Sequence, residues 1–264
     1  MENKTVLLTG ATGFLGRHIL EELTKRNIPV RVFRRRLIDV DETDFEGVSS
    51  VIHCAALTPG KNSTASEYYE VNARQTAFFL KECQRREVQK FIYISTMGLK
   101  FLNPYTSSKL AAEESVLSSS LNIVVLRVAH LYGPNEHMRG FLHYLSRKRI
   151  LHVVGGTGGD LSIVYVRDCA RVVVNALEQN PLGNLYNVVQ CGISRRTYLQ
   201  TLLDRIGGKC LIIQLPQGLV KTLFGEEYLR KQITNLRLPG IDDWSFEPTP
   251  LHVGVVETCS VLGI

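Results

Sequence analysis

A tyrosine and a lysine stand four residues apart in "NPYTSSK", as Tyr105 and Lys109, shortly after the Ser95–Thr96 pair of "YIST". On a helix that spacing puts both side chains on one face. Asn103 suits the cap of such a helix and Pro104 its first position. Tyr105 then falls in the first turn, where the helix dipole favours negative charge. A free tyrosine ionises near pH ~10 and is a poor base at neutrality. An ammonium one turn away favours the phenolate. Lowering the pKa by ~3 units takes ~4 kcal/mol, to be shared among lysine, dipole and any cofactor charge. A tyrosine so tuned takes a proton from an alcohol, or gives one to a carbonyl, while a hydride moves. A hydroxyl from Thr96, at the end of an apolar strand, can hold the reacting oxygen against it.

The elements that must position these groups can be read from the hydrophobic pattern. Val6-Leu7-Leu8 is a short apolar run, and "FLGRHILEELTKR" repeats its apolar residues with helical period. "PVRVF", "SVIHCAA", "KFIYIS" and "NIVVLRV" read as strands, with "SEYYEVNARQTAFFLKECQRR" and "PYTSSKLAAEESVLSS" as helices between them. Strands alternating with helices, many of the strands uniformly apolar, predict an α/β chain: a Rossmann-like, doubly wound parallel sheet covered on both faces. In such sheets ligands bind at the carboxyl edge, where "FIYIS" ends. After about residue 133 the pattern loosens into the glycine-rich "VVGGTGGD", the strands "LSIVYV" and "NLYNVV", and the helices "RDCARVVVNALEQN", ending near Pro181-Leu182-Gly183, and "SRRTYLQTLLDRIGG". The tail from Leu211, with Pro216, Pro239, Pro248 and Pro250, reads as small elements packed on the main body. The expected division is a dinucleotide-binding core over 1–133 and a mixed part over 134–264 that completes the sheet and forms the substrate pocket.

"TGATGFLG" places Gly10, Gly13 and Gly16 between the first strand and the first helix. Glycines there permit a tight turn, a close approach of pyrophosphate to backbone, and contact of helix with strand; the helix N-terminus supplies N–H groups for the phosphates. The end of the second strand then sets the kind of dinucleotide. An acidic residue there bonds the ribose hydroxyls of NAD. This sequence has Arg34, followed by Arg35 and Arg36, and guanidinium groups suit the 2′-phosphate of NADP. NADP(H) is the expected cofactor, with NAD(H) as the alternative and a solvated basic run as the plainer account. Asp39 and Asp41 are further candidates near the adenine.

Composition narrows the field. With 264 residues, 44% apolar and 21% charged, the chain is long enough for one large domain or a core with an appendage, and it is not disordered by composition. The net charge of +6 suits an anionic ligand; no nucleic-acid module or aromatic-basic stripe accompanies it. The six cysteines form no C-x-x-C pair and read as reduced thiols of an intracellular protein. The histidines show no metal-ligand spacing. "MENKTVLLTG" enters a strand directly, without the pattern of a signal peptide, and the longest apolar stretch, interrupted by Arg127, is too short to span a bilayer. The expectation is a cytoplasmic protein without metal, membrane or nucleic-acid partners.

Taken in order, these segments resemble the extended short-chain dehydrogenase/reductases, the group that includes the NAD-dependent epimerases and dehydratases, nearly end to end. The resemblance implies that the turn holding Gly10, Thr12, Gly13, Phe14, Leu15 and Gly16 binds the dinucleotide, together with Ala55 and Ala56 of "HCAA", Asn72 of "EYYEVN", Ser95 near the nicotinamide, Val128 of "LRVAHLYGP" (where proline is usual), and Arg34 and Arg35. It implies Thr96, Tyr105 and Lys109 as catalytic residues, with Lys109 also holding the nicotinamide ribose. "VYVRDCA" and "LYNVV" match later family segments. It also suggests a homodimer through a four-helix contact made by the "SEYYEVN…" helix and the Tyr105 helix.

Three departures bear on the substrate. The segment between the second strand and "SVIHCAA" is short, so a helix and a strand usual in the family are missing or reduced. The gap from Thr96 to Tyr105, which helps wall the family's substrate pocket, is short as well. Many nucleotide-sugar enzymes carry an arginine before the "VYV" segment that pairs with the substrate's pyrophosphate; here Leu161 stands there, and His130 stands where asparagine is frequent. A nucleotide sugar then needs Arg139, Arg147 or Arg149 to supply the charge. The leading expectation is an NAD(P)-dependent oxidoreductase acting on a carbonyl or secondary alcohol of a small or moderately apolar molecule. A sugar epimerase is the alternative enzyme, and a dinucleotide-binding sensor or assembly subunit without turnover is the alternative of another kind.

Overall fold

The structure, a computed structural model, describes residues 5–59, 63–154, 160–179, 183–233 and 241–264. The glycine-rich stretch 155–159, the helix stop at Pro181-Leu182, and Pro239 lie outside the described residues. In chain order the elements are β1 (Thr5–Thr9), α1 (Phe14–Lys25), β2 (Val30–Phe33), β3 (Val48–His53), α2 (Ala65–Tyr68), a π-helical turn (Tyr69–Arg74), α3 (Gln75–Arg85), β4 (Lys90–Thr96), α4 (Pro104–Leu117) and β5 (Asn122–Val128). Then come β6 (His130–Tyr132), α5 (Glu136–Arg147), β7 (Ile150–Val154), β8 (Asp160–Tyr165), α6 (Val166–Glu178), β9 (Leu185–Val188), β10 (Cys191–Ser194), α7 (Arg195–Ile206), β11 (Leu211–Leu215), α8 (Gln217–Phe224), α9 (Glu226–Ile233), β12 (Asp242–Asp243) and α10 (Leu251–Leu262).

The chain forms two compact units that interleave along the sequence. One comprises Met1–Ala129, Val166–Val188 and Leu238–Phe246; the other comprises His130–Tyr165, Val189–Arg237 and Glu247–Ile264. The division therefore does not fall at a single point near residue 133. The reason lies in the first unit's sheet, which is parallel: each added strand needs a crossover, and α6 returns the chain so that β9 can pair with β5.

That sheet has seven strands in the order β12-β9-β5-β4-β3-β1-β2, every pair parallel. Its inner strands are buried on both faces, and residues 123–128 have no exposed member. The two faces can be told apart along β4. Lys90 donates from its ammonium to the carbonyl of Leu177 at 3.2 Å, at the end of α6. Tyr93 and Ser95, of opposite parity, turn to α4. The chain leaves β1 through α1 to β2 on one side and then crosses back to β3 on the other. The crevice at the carboxyl ends of β1 and β3 is thus the topological switch point, where sheets of this kind take their ligands.

The link from β2 to β3 holds only two 3₁₀ turns, Leu37–Asp39 and Glu42–Phe45, so the helix and strand expected to be missing are indeed absent from it. Leu37 and Phe45 close the core in their place. The Phe45 and Phe33 rings lie 6.0 and 5.7 Å from that of Phe79 on α3.

At the heart of this unit His53 is wholly buried and neutral. Its Nδ1 lies 2.8 Å from Thr9 Oγ1, and its Nε2 lies 3.0 Å from Thr76 Oγ1. Thr9 Oγ1 also accepts from Ala55 N at 3.2 Å. A neutral imidazole has one N–H and one acceptor nitrogen, so His53 donates to one of the two threonine hydroxyls and accepts from the other. Burial, aided by the charge of Lys109, pushes the imidazole down to about 3.

The second unit carries a three-stranded sheet in the order β10-β8-β6 and a parallel β7–β11 pair. Its centre is aromatic. Tyr132 lies 5.2 Å from Tyr165 and 6.2 Å from Tyr198, ring to ring, and α10 packs so close that a Cβ on Gly254 would come within 2.6 Å of Tyr132 Oη.

His53 sets an acid limit on stability. An unfolded histidine titrates near 6.5, and the folded one near 3. Its contribution, up to about 5 kcal/mol, is complete above pH ~6.5 and is lost as pH falls towards 3. Urea unfolding of the wild type and His53→Gln between pH 8 and 3.5 is expected to give stabilities a constant amount apart above pH 6.5 and converging below it. Curves that stay parallel throughout contradict a buried neutral imidazole.

Candidate active site

The glycine turn is fitted to backbone rather than to side chains. Gly10 has φ +71° and lies against the chain after β3, where a Cβ would stand 2.6 Å from Ala55 N. A Cβ on Gly16 would stand 2.0 Å from Gly10 O, which already accepts from Gly13 N at 3.0 Å. Helix α1 therefore starts hard against β1. Gly13 caps it without a side-chain bond, and no acidic residue occupies its first turn, so the leading N–H groups and the positive dipole end face outward. Thr12 and Gly13 are exposed, Phe14 is half-buried, and Leu15 and Gly16 pack inward. The cradle fits the pyrophosphate of a dinucleotide.

Helix α4 is built as its sequence suggests. Asn103 Oδ1 accepts from Thr106 N at 3.0 Å, Thr106 Oγ1 accepts from Asn103 N at 2.8 Å, and Pro104 opens the helix. Tyr105 is half-buried, and Lys109, one turn on, is only 3% exposed. The Lys109 ammonium donates to Ile94 O at 2.7 Å and lies 4.1 Å from the centre of the Tyr93 ring. Burial lowers it to about 7, against the opposing pull of Cys54 and Glu113. The Tyr105 phenol is raised above its ordinary value by burial, and by Cys54 and Tyr68. In the protein by itself burial sets the direction, and Lys109 is not among the groups that oppose it. The ammonium is committed to the Ile94 carbonyl and the Tyr93 face, while the Tyr105 ring meets Tyr68 edge-on at 6.0 Å.

The other expected residues fall into two sets. Thr96 is half-buried at the end of β4. Its Oγ1 accepts from Gly98 N at 3.1 Å, which leaves its own O–H to donate. Thr96 Oγ1 and Thr106 Cγ2 lie 3.4 and 3.5 Å from one point, the place a Cβ on Gly98 would take, so the hydroxyl sits beside the first turn of α4. Ala55 and Ala56 are half-buried after β3. The remaining ones turn inward. Asn72, in the π-helical turn, accepts from Leu57 N at 2.7 Å and donates to Leu57 O and Ser108 Oγ, both at 3.0 Å. Ser108 in turn donates to Tyr105 O at 2.7 Å. Ser95 donates to Glu113 Oε2 at 2.6 Å, and Val128 is buried, paired with Thr96 across β4 and β5.

Of the three arginines after β2, Arg35 is held by Asp41 at 2.6 Å and by Asp44, and Arg36 by Asp39 at 2.8 Å. Those carboxylates answer for Asp39 and Asp41, which were candidates for the adenine. Arg34 is exposed and makes no ion pair among the described residues. Sequence reasoning also missed Cys54, Tyr68, Tyr93 and the buried set Ser95–Glu113–Arg127. The one local sign of that set is that Glu113 lies four residues beyond Lys109, on the same face. No group of metal-ligating side chains occurs among the described residues, and no described helix is long and apolar enough to cross a membrane.

A parallel sheet with its glycine turn at the switch point, and a Tyr-x-x-x-Lys helix at the end of the fourth strand, define a dinucleotide-dependent enzyme of the short-chain dehydrogenase/reductase type. The chain belongs to the NAD dependent epimerase/dehydratase family, whose model matches residues 6–189. It is similar to a ceramide reductase of Caulobacter vibrioides, 28% identical over 236 residues that cover 80% of this chain and 73% of that protein. It is equally similar to a decarboxylating sterol-4-alpha-carboxylate 3-dehydrogenase of Schizosaccharomyces pombe, 28% identical over 235 residues, 70% of this chain and 68% of that one. Among solved structures, the UDP-glucose 4-epimerase of Thermotoga maritima shares the fold, with a TM-score of 0.74 at 19% identity over 98% of each chain. The protein is accordingly an NAD(P)-dependent oxidoreductase or epimerase of the extended short-chain type.

Proposed function

We propose that this enzyme is an NADPH-dependent reductase of a ketone, with Tyr105 as proton donor, Lys109 as its electrostatic partner and Thr96 as the donor that holds the substrate oxygen. The observation that carries the reading is the single α4 face that presents Tyr105 and the buried Lys109 at the carboxyl end of β4. A bound nicotinamide supplies the hydride. The Tyr105 phenol, held protonated by burial, delivers its proton to the oxygen that becomes the hydroxyl, and the adjacent ammonium favours the phenolate left behind. The free O–H of Thr96 donates to that same oxygen.

Three further points belong to this reading. Arg34 binds the 2′-phosphate of NADPH, since Arg35 and Arg36 are engaged by aspartates. The second unit carries substrate recognition, with Leu161 in place of the arginine that the resemblance associates with nucleotide sugars, so the favoured substrates are apolar ketones of the sphingolipid and sterol classes that two relatives' names indicate. The protein works as a cytoplasmic homodimer: none of the six cysteines is in a disulfide, and Tyr69, Phe78 and Leu117 leave apolar surface on the expected four-helix contact.

Ketones of those two classes and UDP-glucose are to be assayed with NADPH. Tyr105→Phe is expected to cut kcat by about 10²–10⁴-fold while NADPH affinity changes little; unchanged turnover discards the catalytic assignment, and turnover of UDP-glucose alone favours the epimerase. Arg34→Asp is expected to weaken NADPH binding at least tenfold and to leave NADH binding nearly unchanged. Equal losses for the two cofactors remove the 2′-phosphate role.

A further inference from the structure

The buried charges beneath the tyrosine–lysine face form a set that the reaction itself does not use. Glu113 is 1% exposed. One of its oxygens accepts from Ser95 Oγ on β4 at 2.6 Å, and both accept from Arg127 Nε on β5 at 3.1 Å; a further bond comes from the other end of the same guanidinium. Glu113 thus ties α4 to two neighbouring strands at once. It lies one helical turn from Lys109, whose ammonium is fixed to Ile94 on one of those same strands.

A fold that needed only to join α4 to the sheet could do so with apolar side chains, because replacing a buried ion pair by well-packed neutral groups is often neutral for stability. What apolar groups cannot supply is negative charge beside a buried ammonium. The groups facing Lys109 are His53 and Cys54 at the end of β3, Tyr93 on β4, and Tyr105 and Glu113 on α4. His53 is neutral. Burial raises the Cys54 thiol to about 11 and raises both phenols as well, so these are uncharged at neutrality. Glu113 is the one carboxylate of the group.

We propose that Glu113 is a positioning residue acting through Lys109: its carboxylate, fixed by Ser95 and Arg127, keeps the neighbouring lysine an ammonium and sets the Tyr105–Lys109 face over the end of β4. The proposal rests on the reading of Tyr105 and Lys109 as the reacting pair, but its test needs neither substrate nor turnover.

The test is NMR titration of the Lys109 ammonium in lysine-labelled protein, with the signal assigned through Lys109→Met. In the wild type the midpoint is expected near 7. In Glu113→Gln it is expected to fall by at least one pH unit, a tenfold loss in proton affinity. A purely structural role has the opposite sign, because loosening the helix lets water reach the ammonium and moves it up towards ~10.4. A midpoint that stays or rises overturns the proposal. Should Glu113→Gln fail to fold, the double variant Glu113→Gln/Arg127→Met removes the pair together, and a smaller fall of the same sign is expected because the opposing guanidinium charge goes with the carboxylate; no fall overturns the proposal. Glu113→Asp, which keeps the charge, is expected to stay closer to the wild type than Glu113→Gln; a fall as large in both overturns the electrostatic account. Failure of the catalytic reading shows separately, as turnover that survives Tyr105→Phe.

Discussion

A lysine ammonium shut away from water is the constraint around which this candidate site is organised. Stripping an ammonium of its hydration costs several kcal/mol, and the surrounding groups must return it. Lys109 recovers part from the Ile94 carbonyl at 2.7 Å and part from the face of Tyr93. The first partner is a backbone atom at the end of β4, so the lysine is satisfied only while α4 lies along that strand. The bond that solvates the cation therefore also fixes where Tyr105 stands. Asn103 and Thr106 start the helix at the required residue, and Glu113 with Arg127 and Ser95 holds it one turn further on.

The cofactor side follows a parallel logic with backbone in place of charge. Gly16 brings α1 against Gly10 O, and Gly10 brings that turn against Ala55, so β1, α1 and the end of β3 share one small space that excludes side chains. The Thr9–His53–Thr76 chain lies just beneath and pins β1 to β3 and α3. The short β2–β3 link lets Leu37 and Phe45 fill the core where a helix is usual, and its capping turn recruits Asp41 and Asp44 to Arg35. The shortened link thus also determines that Arg35 is held by two carboxylates.

What could be read from the sequence was local. The glycine turn, the capped α4 and the Tyr105–Lys109 face depend on residues within a few positions of one another. The missing helix after β2 was legible because length alone forbids it. What could not be read depends on pairing at a distance. Nothing in "RVFRRRLIDVDETD" says that Arg35 and Arg36 find aspartates while Arg34 does not. Glu113 and Arg127 are fourteen residues apart on different elements, and two-residue β12 is a strand only because β9 lies beside it. The direction of the Tyr105 shift in the protein alone was out of reach for the same reason: helical spacing places the lysine on the same face, but a carbonyl on β4 decides where its ammonium points.

The central claim is that the phenol is held protonated by burial and becomes acidic when cofactor and lysine act on it together. NMR titration of Tyr105 in tyrosine-labelled protein, assigned through Tyr105→Phe, reads this directly, without and with saturating NADP⁺. The expected result is a midpoint above 10 for the protein alone that falls by about 2 units or more with the oxidised cofactor bound. A midpoint that stays above 10 in both states contradicts the account.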